Sequence, residues 1–259
     1  MIVSYKGASV FYTVQGTGNT IVLLHGFLEN TSMWKDIAAE LSKTKRVVCI
    51  DLLGHGQTDC LGYVHTMEEM ADAVKEVLKQ LKVKRCFLIG HSMGGYVALA
   101  FTEKYFKNVK GICLLNSTAQ EDTNERKEIR EKANKMVPKN FHKMVQMSIP
   151  NLFTQLSKEK YAAEINEVLK QALKTSIRGY IASNEGMRLR ENKELALKLI
   201  SKRMIIVGEK DPVLNFESIK KEAERTETEL IILPNGHMSH IEDKEELLRV
   251  LVGFINRKP

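Results

Sequence analysis

A chain of 259 residues, 43% apolar and 27% charged, is long enough for one large α/β domain or two small ones and can bury a sizeable core. A net charge of +7 invites a nucleic-acid partner, but the lysines alternate with acids, as in 121–132, and no arginine-rich or aromatic-spaced basic tract occurs; the charge reads as a solvated Lys/Glu surface, and no nucleic acid is expected. The longest apolar runs, such as 21–24 and 204–207, are strand-length rather than the roughly 20 residues of a membrane span, and the opening Met-Ile-Val-Ser-Tyr-Lys lacks the pattern of an export signal.

The chain opens on apolar segments at 2–5 and 10–14, which read as an antiparallel hairpin closed at Lys6-Gly7-Ala8-Ser9 and broken by Gly16-Thr17-Gly18-Asn19. Short apolar strands follow at 21–24, 47–50, 86–89, 112–115, 204–207 and 230–233, separated by helical patterns, notably at 67–81, 93–105 and 244–255. Near-continuous apolar strands alternating with helices predict an α/β fold with a mostly parallel, eight-stranded sheet covered on both faces. Between 118 and 202 the strand signal vanishes, leaving charged helical sequence with scattered Met, Phe, Leu and Tyr. An insertion of roughly 80 residues is too long for a loop, so a helical cap at 118–202 is expected within a core built from 1–117 and 203–259. Cys49, Cys86 and Cys113 fall in or beside predicted strands, and neither they nor Cys60 form a metal- or redox-type pair. That usage fits a reducing compartment, and a cytoplasmic location is expected.

The sharpest local signal is Cys86-Phe87-Leu88-Ile89-Gly90-His91-Ser92-Met93-Gly94-Gly95, a buried strand running into Gly-x-Ser-x-Gly and then a helix. Placed there, the motif predicts a tight elbow that holds the Ser92 hydroxyl above the sheet edge. A serine needs a base to take its proton. His237, on the loop after the last strand, faces the same edge and is favoured over His240, which is expected to pack against the final helix. Asp211, in Gly208-Glu209-Lys210-Asp211-Pro212 after the penultimate strand, is the expected partner of His237, with Glu209 and Asp51 as alternatives; Asn116 occupies the other strand end where an acid could sit. The amides of Met93 and Phe27 are the expected oxyanion donors, Phe27 lying in His25-Gly26-Phe27-Leu28. His25 is expected to be a buried ring bonded to neighbouring loops.

Together with Asp51-Leu52-Leu53-Gly54-His55-Gly56-Gln57-Thr58, these motifs resemble the α/β-hydrolase superfamily, most nearly its small carboxylesterase and enol-lactonase-type members, over nearly all of the chain outside the insertion. The resemblance implies an α/β-hydrolase fold, a cap that shapes the acyl pocket, and a scaffold role for Asp51 and His55. Its one departure is Lys202-Arg203-Met204, where relatives often have proline before the strand.

The pocket is less legible. Trp34, Met136, Met144 and Arg190 are the candidates for substrate contact, with Met147 weighed beside the other methionines as an apolar wall and Arg178 and Arg188 beside Arg190 as carboxylate binders; each has an alternative as packing or surface. The expected activity is hydrolysis of a small-molecule ester, thioester or lactone through an acyl-enzyme, with no metal and no organic cofactor. Two other uses of the triad remain open: proton abstraction or carbon–carbon cleavage on a carboxylate-bearing metabolite, which requires cap arginines facing the pocket, and a ligand-binding receptor with slow turnover.

Overall fold

A computed structural model describes residues 1–257. Its strands are β1 (Ile2–Tyr5), β2 (Ala8–Gln15), β3 (Thr20–Leu24), β4 (Arg46–Ile50), β5 (Cys86–His91), β6 (Val109–Leu115), β7 (Arg203–Gly208) and β8 (Glu229–Leu233). They form one sheet in the order β1-β2-β4-β3-β5-β6-β7-β8. Only the β1–β2 and β2–β4 pairs are antiparallel. The opening hairpin turns at Lys6 and Gly7, both at positive φ (49° and 84°), the left-handed pair that a two-residue turn matched to strand twist requires. Every residue of β3 and β5 is buried, as a strand covered on both faces must be, whereas β2 alternates along its length. β6 starts three residues before its apolar run, because the pairing of Val109 with Cys86 carries the strand through Lys110 and Gly111, weak strand formers that hide it in the sequence.

The helices are α1 (Lys35–Leu41), α2 (Met67–Gln80), α3 (Met93–Tyr105), α4 (Asn124–Ser148), α5 (Gln155–Lys160), α6 (Ala162–Ala172), α7 (Ile177–Leu189), α8 (Glu194–Lys198), α9 (Phe216–Thr226), α10 (Ser239–Glu242) and α11 (Lys244–Asn256). Residues of α2, α3, α8 and α9 cover one face of the sheet, among them Val74, Phe101, Leu197 and Ile219. Ile37 of α1 and Leu247, Leu251 and Phe254 of α11 cover the other. All elements between β6 and β7 are helical. Their interior forms a third cluster, with Val137, Phe141, Val145, Phe153 and Tyr180 closing on Leu28 and Met238 from the loops at the sheet edge. Apolar burial therefore ties this layer to the loops that carry the site. The last stretch of the insertion behaves differently: Leu197 and Ile200 pack into the sheet's own core.

Local chemistry sets the helix ends. Thr66, Thr123, Thr154 and Ser176 each accept a backbone N–H in the first turn of α2, α4, α5 and α7, the capping that satisfies otherwise orphaned donors. α4 bends at Asn140 (φ −133°), two residues after Pro138, which removes one intrahelical hydrogen bond. Among the described residues, no helix is long and apolar enough to cross a membrane. The four cysteines are unpaired, and burial pushes the thiols of Cys49 and Cys86 up to about 12.

Candidate active site

Ser92 joins β5 to α3 with φ 48° and ψ −114°, a conformation rare for a residue with a Cβ. The surroundings hold it there. Its N–H donates to the Leu115 carbonyl (2.9 Å), and its own carbonyl accepts from Gly95 N–H (2.9 Å) and the Ser117 hydroxyl (2.7 Å). The turn closes because Gly90 and Gly94 lack side chains; a Cβ at Gly90 would strike the Gly94 backbone, and one at Gly94 the Leu24 carbonyl.

His237 and Asp211 meet from the ends of β8 and β7. His237 Nδ1 lies 2.8 Å from Asp211 Oδ2, both groups being almost fully buried. A carboxylate there accepts the Nδ1 proton and leaves Nε2 with its lone pair, the tautomer a general base needs. Asp211 is itself fixed: Oδ1 accepts the N–H groups of Val213 (2.8 Å) and Leu214 (3.1 Å), and Oδ2 accepts from Asn116 Nδ2 (3.1 Å). Burial alone would push this carboxyl up, but the facing imidazole and the donated hydrogen bonds outweigh it and hold it below its ordinary value. Asn116 also donates to the Gly236 carbonyl (3.1 Å), so one amide ties the acid to the base's loop. In the sequence Asn116 stands out only as the place of a missing acid. An asparagine closing a predicted strand was the available signal, since asparagine tolerates the left-handed backbone (φ 45°) found there. The His237 backbone is held from two further sides, its N–H donating to the Leu152 carbonyl (3.1 Å) and its carbonyl accepting from His91 Nε2 (3.0 Å).

Ser92 and His237 line the same cavity of about 220 Å³, together with Phe27, Tyr96, Tyr180, Met187 and two arginines of α4, Arg126 and Arg130. Met93 is fully buried at the first position of α3. A larger groove of about 760 Å³, between α6 of the cap and the core at α1 and α10, shares Leu28 and Glu29 with this cavity but is not lined by Ser92, Asp211 or His237, so size alone does not mark the chemistry.

None of the four residues expected at the substrate pocket lines this cavity. Trp34 is wholly buried between sheet and helices, its ring 6.4 Å from that of His240. Met136 is exposed on the outside of α4, and Met144 packs into the cap's own interior. Arg190 is buried against Asp122 (2.8 Å) with its guanidinium 3.9 Å over the Tyr96 ring, behind the cavity wall. Arg178 and Arg188 turn outward, to the Gly62 carbonyl and to Glu185. The run 121–132 is not uniformly solvated: Asp122 is buried with Arg130 at 2.5 Å. Asp122, Arg126 and Arg130 recur every four residues, a spacing that puts them on one side of a helix.

His25, like His91, is held by hydrogen bonds at both ring nitrogens. His25 Nδ1 donates to the Gly26 carbonyl (2.7 Å), and Nε2 accepts from Leu52 N–H (2.9 Å), which makes it a neutral tie between loops. Asp51 accepts from Thr31 and Gln57 N–H and so braces its own loop. Glu29, His91 and His240 are the one group of three metal-type donors close together among the described residues, within 4.8 Å, but the facing Glu29 and His91 atoms are already engaged with each other.

Burial pushes His55 down to about 3, and His65 and His240 down to about 4. Unfolding at pH 5 therefore adds protons that the folded chain excludes, so this stability is present above pH 6.5 and is lost as pH falls toward 4. Each such histidine contributes up to about 1.4 kcal/mol per pH unit in that window. His91 has the opposite sign, its value being raised by Glu29 against the effect of burial, so its contribution fades as pH rises. Urea midpoints should fall steeply from pH 6.5 to 5, before most carboxylates titrate; an unchanged midpoint across that interval would contradict the assignment of neutral buried rings.

Residues 19–244 match the family described as alpha/beta hydrolase fold. An uncharacterised protein of Mycobacterium tuberculosis is 31% identical over 106 residues, 41% of this chain and 31% of that one, so the match spans about a third of that relative's length. The 3-oxoadipate enol-lactonase 1 of Acinetobacter baylyi is 24% identical over 260 residues, covering 98% of this chain and 96% of that one. Among solved structures, a thermophilic esterase from Thermogutta terrifontis superimposes with a TM-score of 0.91 at 28% identity, covering 98% of this chain and 96% of that one. With the family matched over most of its length and its eight-stranded, largely parallel sheet in place, the chain belongs to the alpha/beta hydrolase fold family.

Proposed function

We propose that the protein is a serine hydrolase that cleaves a small-molecule ester or lactone through an acyl-enzyme intermediate. The observation that carries this reading is a strained serine opening onto the same cavity as an imidazole whose other nitrogen lies 2.8 Å from a buried carboxylate. In this mechanism His237 Nε2 takes the Ser92 proton as Oγ attacks the acyl carbon, and Asp211 stabilises the imidazolium that results. The amides of Phe27 and Met93 are the proposed donors to the oxyanion, aided by the positive N-terminal end of α3. The proton then passes from His237 to the leaving oxygen, and water repeats the sequence on the acyl-enzyme. Substrate is proposed to be a small acyl compound, with no cofactor in the cycle.

The arginines refine the substrate. Arg126 and Arg130 line the cavity with Ser92, and both share the single carboxylate of Asp122 with Arg190 behind the wall, so Asp122 cannot neutralise the two arginines on the cavity side. Guanidinium groups recognise carboxylates through paired N–H donors. A substrate bearing a carboxylate away from its scissile ester fits that wall, and the Thermogutta terrifontis esterase is itself described as malate-bound, a dicarboxylate. The experiment compares p-nitrophenyl hemisuccinate with p-nitrophenyl butyrate. The anionic ester should be preferred, and Arg126→Gln, which removes the more exposed arginine, should reduce that preference about tenfold, the order expected for a lost charge-assisted contact. Equal loss on both esters would leave the arginines as cap anchors alone. Absence of hydrolysis of either ester would contradict the proposal itself.

A further inference from the structure

Glu29 lies on the loop after β3, is 6% exposed, and has no part in the triad. Its Oε2 accepts the Gly26 N–H at 2.6 Å and lies 2.7 Å from Nδ1 of His91, the residue before the nucleophile. The other His91 nitrogen is 3.0 Å from the His237 carbonyl oxygen. A carbonyl can only accept, so Nε2 carries a proton; Nδ1 in turn faces an oxygen that already receives the Gly26 N–H. The ring is 2% exposed, leaving no room for water to substitute. One unbroken chain, Gly26 to Glu29 to His91 to His237, thus links three loops at the sheet edge: the one expected to supply Phe27, the nucleophile elbow and the loop of the base.

Charge agrees with this geometry. Burial opposes ionisation of both groups, yet each faces the other, and the balance holds Glu29 down to about 2 while His91 is raised. His240, whose Nε2 is 3.9 Å from the second Glu29 oxygen, stays neutral because burial pushes it down to about 4, so it does not compete for the charge. Glu29 and His91 are therefore a buried ion pair, the kind of contact whose removal leaves an uncompensated charge.

We propose that Glu29 is a positioning residue: paired with the His91 imidazolium, it fixes the start of the oxyanion loop at Gly26 and the main chain of His237, and so sets the distance from the base to Ser92. This rests on the hydrolytic reading of Ser92. It predicts a fall in kcat larger than any change in KM, because the pair acts through the main chain at Gly26 and His237, which sets the reacting groups.

Two variants and one spectrum test it. Glu29→Gln keeps an acceptor for Gly26 N–H but removes the charge, and Glu29→Ala removes both. On p-nitrophenyl butyrate, kcat should fall about tenfold in the first and up to about a hundredfold in the second, the range that small misplacements of reacting groups produce, with KM changed less than about twofold. In the wild type at pH 7, ¹⁵N resonances of His91, assigned by difference with His91→Asn, should show both ring nitrogens protonated; in Glu29→Gln only one should be. A neutral His91 ring in the wild type overturns the proposal, as does unchanged kcat in both variants or a rise in KM alone. If Glu29→Ala fails to fold, the Gln variant and the wild-type spectrum decide. An inactive wild type would refute the hydrolytic reading of Ser92, while the His91 resonances would still report on the ion pair.

Discussion

Ser92→Ala should reduce ester hydrolysis by about 10⁴- to 10⁶-fold, the range seen when the nucleophile of a working triad is deleted, while leaving the fold intact. Two features make the expectation specific. The serine sits at φ 48°, ψ −114°, held by its own backbone hydrogen bonds and by Ser117, none of which involves its hydroxyl. Alanine inherits the same backbone and the same strain, so its thermal midpoint should match the wild type. Ser92→Gly should be as inactive but more stable by about 1 kcal/mol or more, because glycine adopts the elbow conformation without the penalty that a Cβ incurs there. Activity and melting temperature would then move in opposite directions at one position. Retained activity in Ser92→Ala would remove the nucleophile from the account.

Asp211→Asn should lower kcat by about 10²- to 10⁴-fold with little change in KM. The carboxylate receives four donors: His237 Nδ1, Asn116 Nδ2, and the amides of Val213 and Leu214. An asparagine has one acceptor oxygen, which the two main-chain amides would claim. Its NH₂ would then face both Asn116 Nδ2 and the imidazole, moving the ring proton to Nε2, where it blocks proton abstraction from Ser92. Stability should also fall, since a buried donor is left without an acceptor at a cost of about 1–3 kcal/mol. A loss of activity below tenfold would mean that Asp211 does not orient the base.

The sheet was legible because its central strands are apolar on both faces, so short runs such as 21–24 and 86–89 stand out without alternation. Ser92, Asp211 and His237 could be singled out for a related reason: parallel strands deliver their C-terminal ends to one edge, and each of these residues follows a strand closely. The pocket wall was not legible, because it depends on how the cap sits over that edge. Arg126 and Arg130 project into the cavity through the setting of a helix anchored by buried Asp122, whereas Arg190, expected to face substrate, spends its guanidinium on Asp122 and the Tyr96 ring. A charged run such as 121–132 does not announce which of its side chains is buried, although the four-residue recurrence of Asp122, Arg126 and Arg130 was a trace of it. Glu29 was missed for a different reason. Its partner His91 is hidden inside the nucleophile motif, and a pair 62 residues apart has no local signature.

The central claim is that Ser92 is an activated nucleophile, and reaction with a fluorophosphonate tests it most directly. One equivalent should attach, peptide mass analysis should locate it on Ser92, and Ser92→Ala should take up none. A label on another residue, or a native protein that is not labelled at all, would contradict the account.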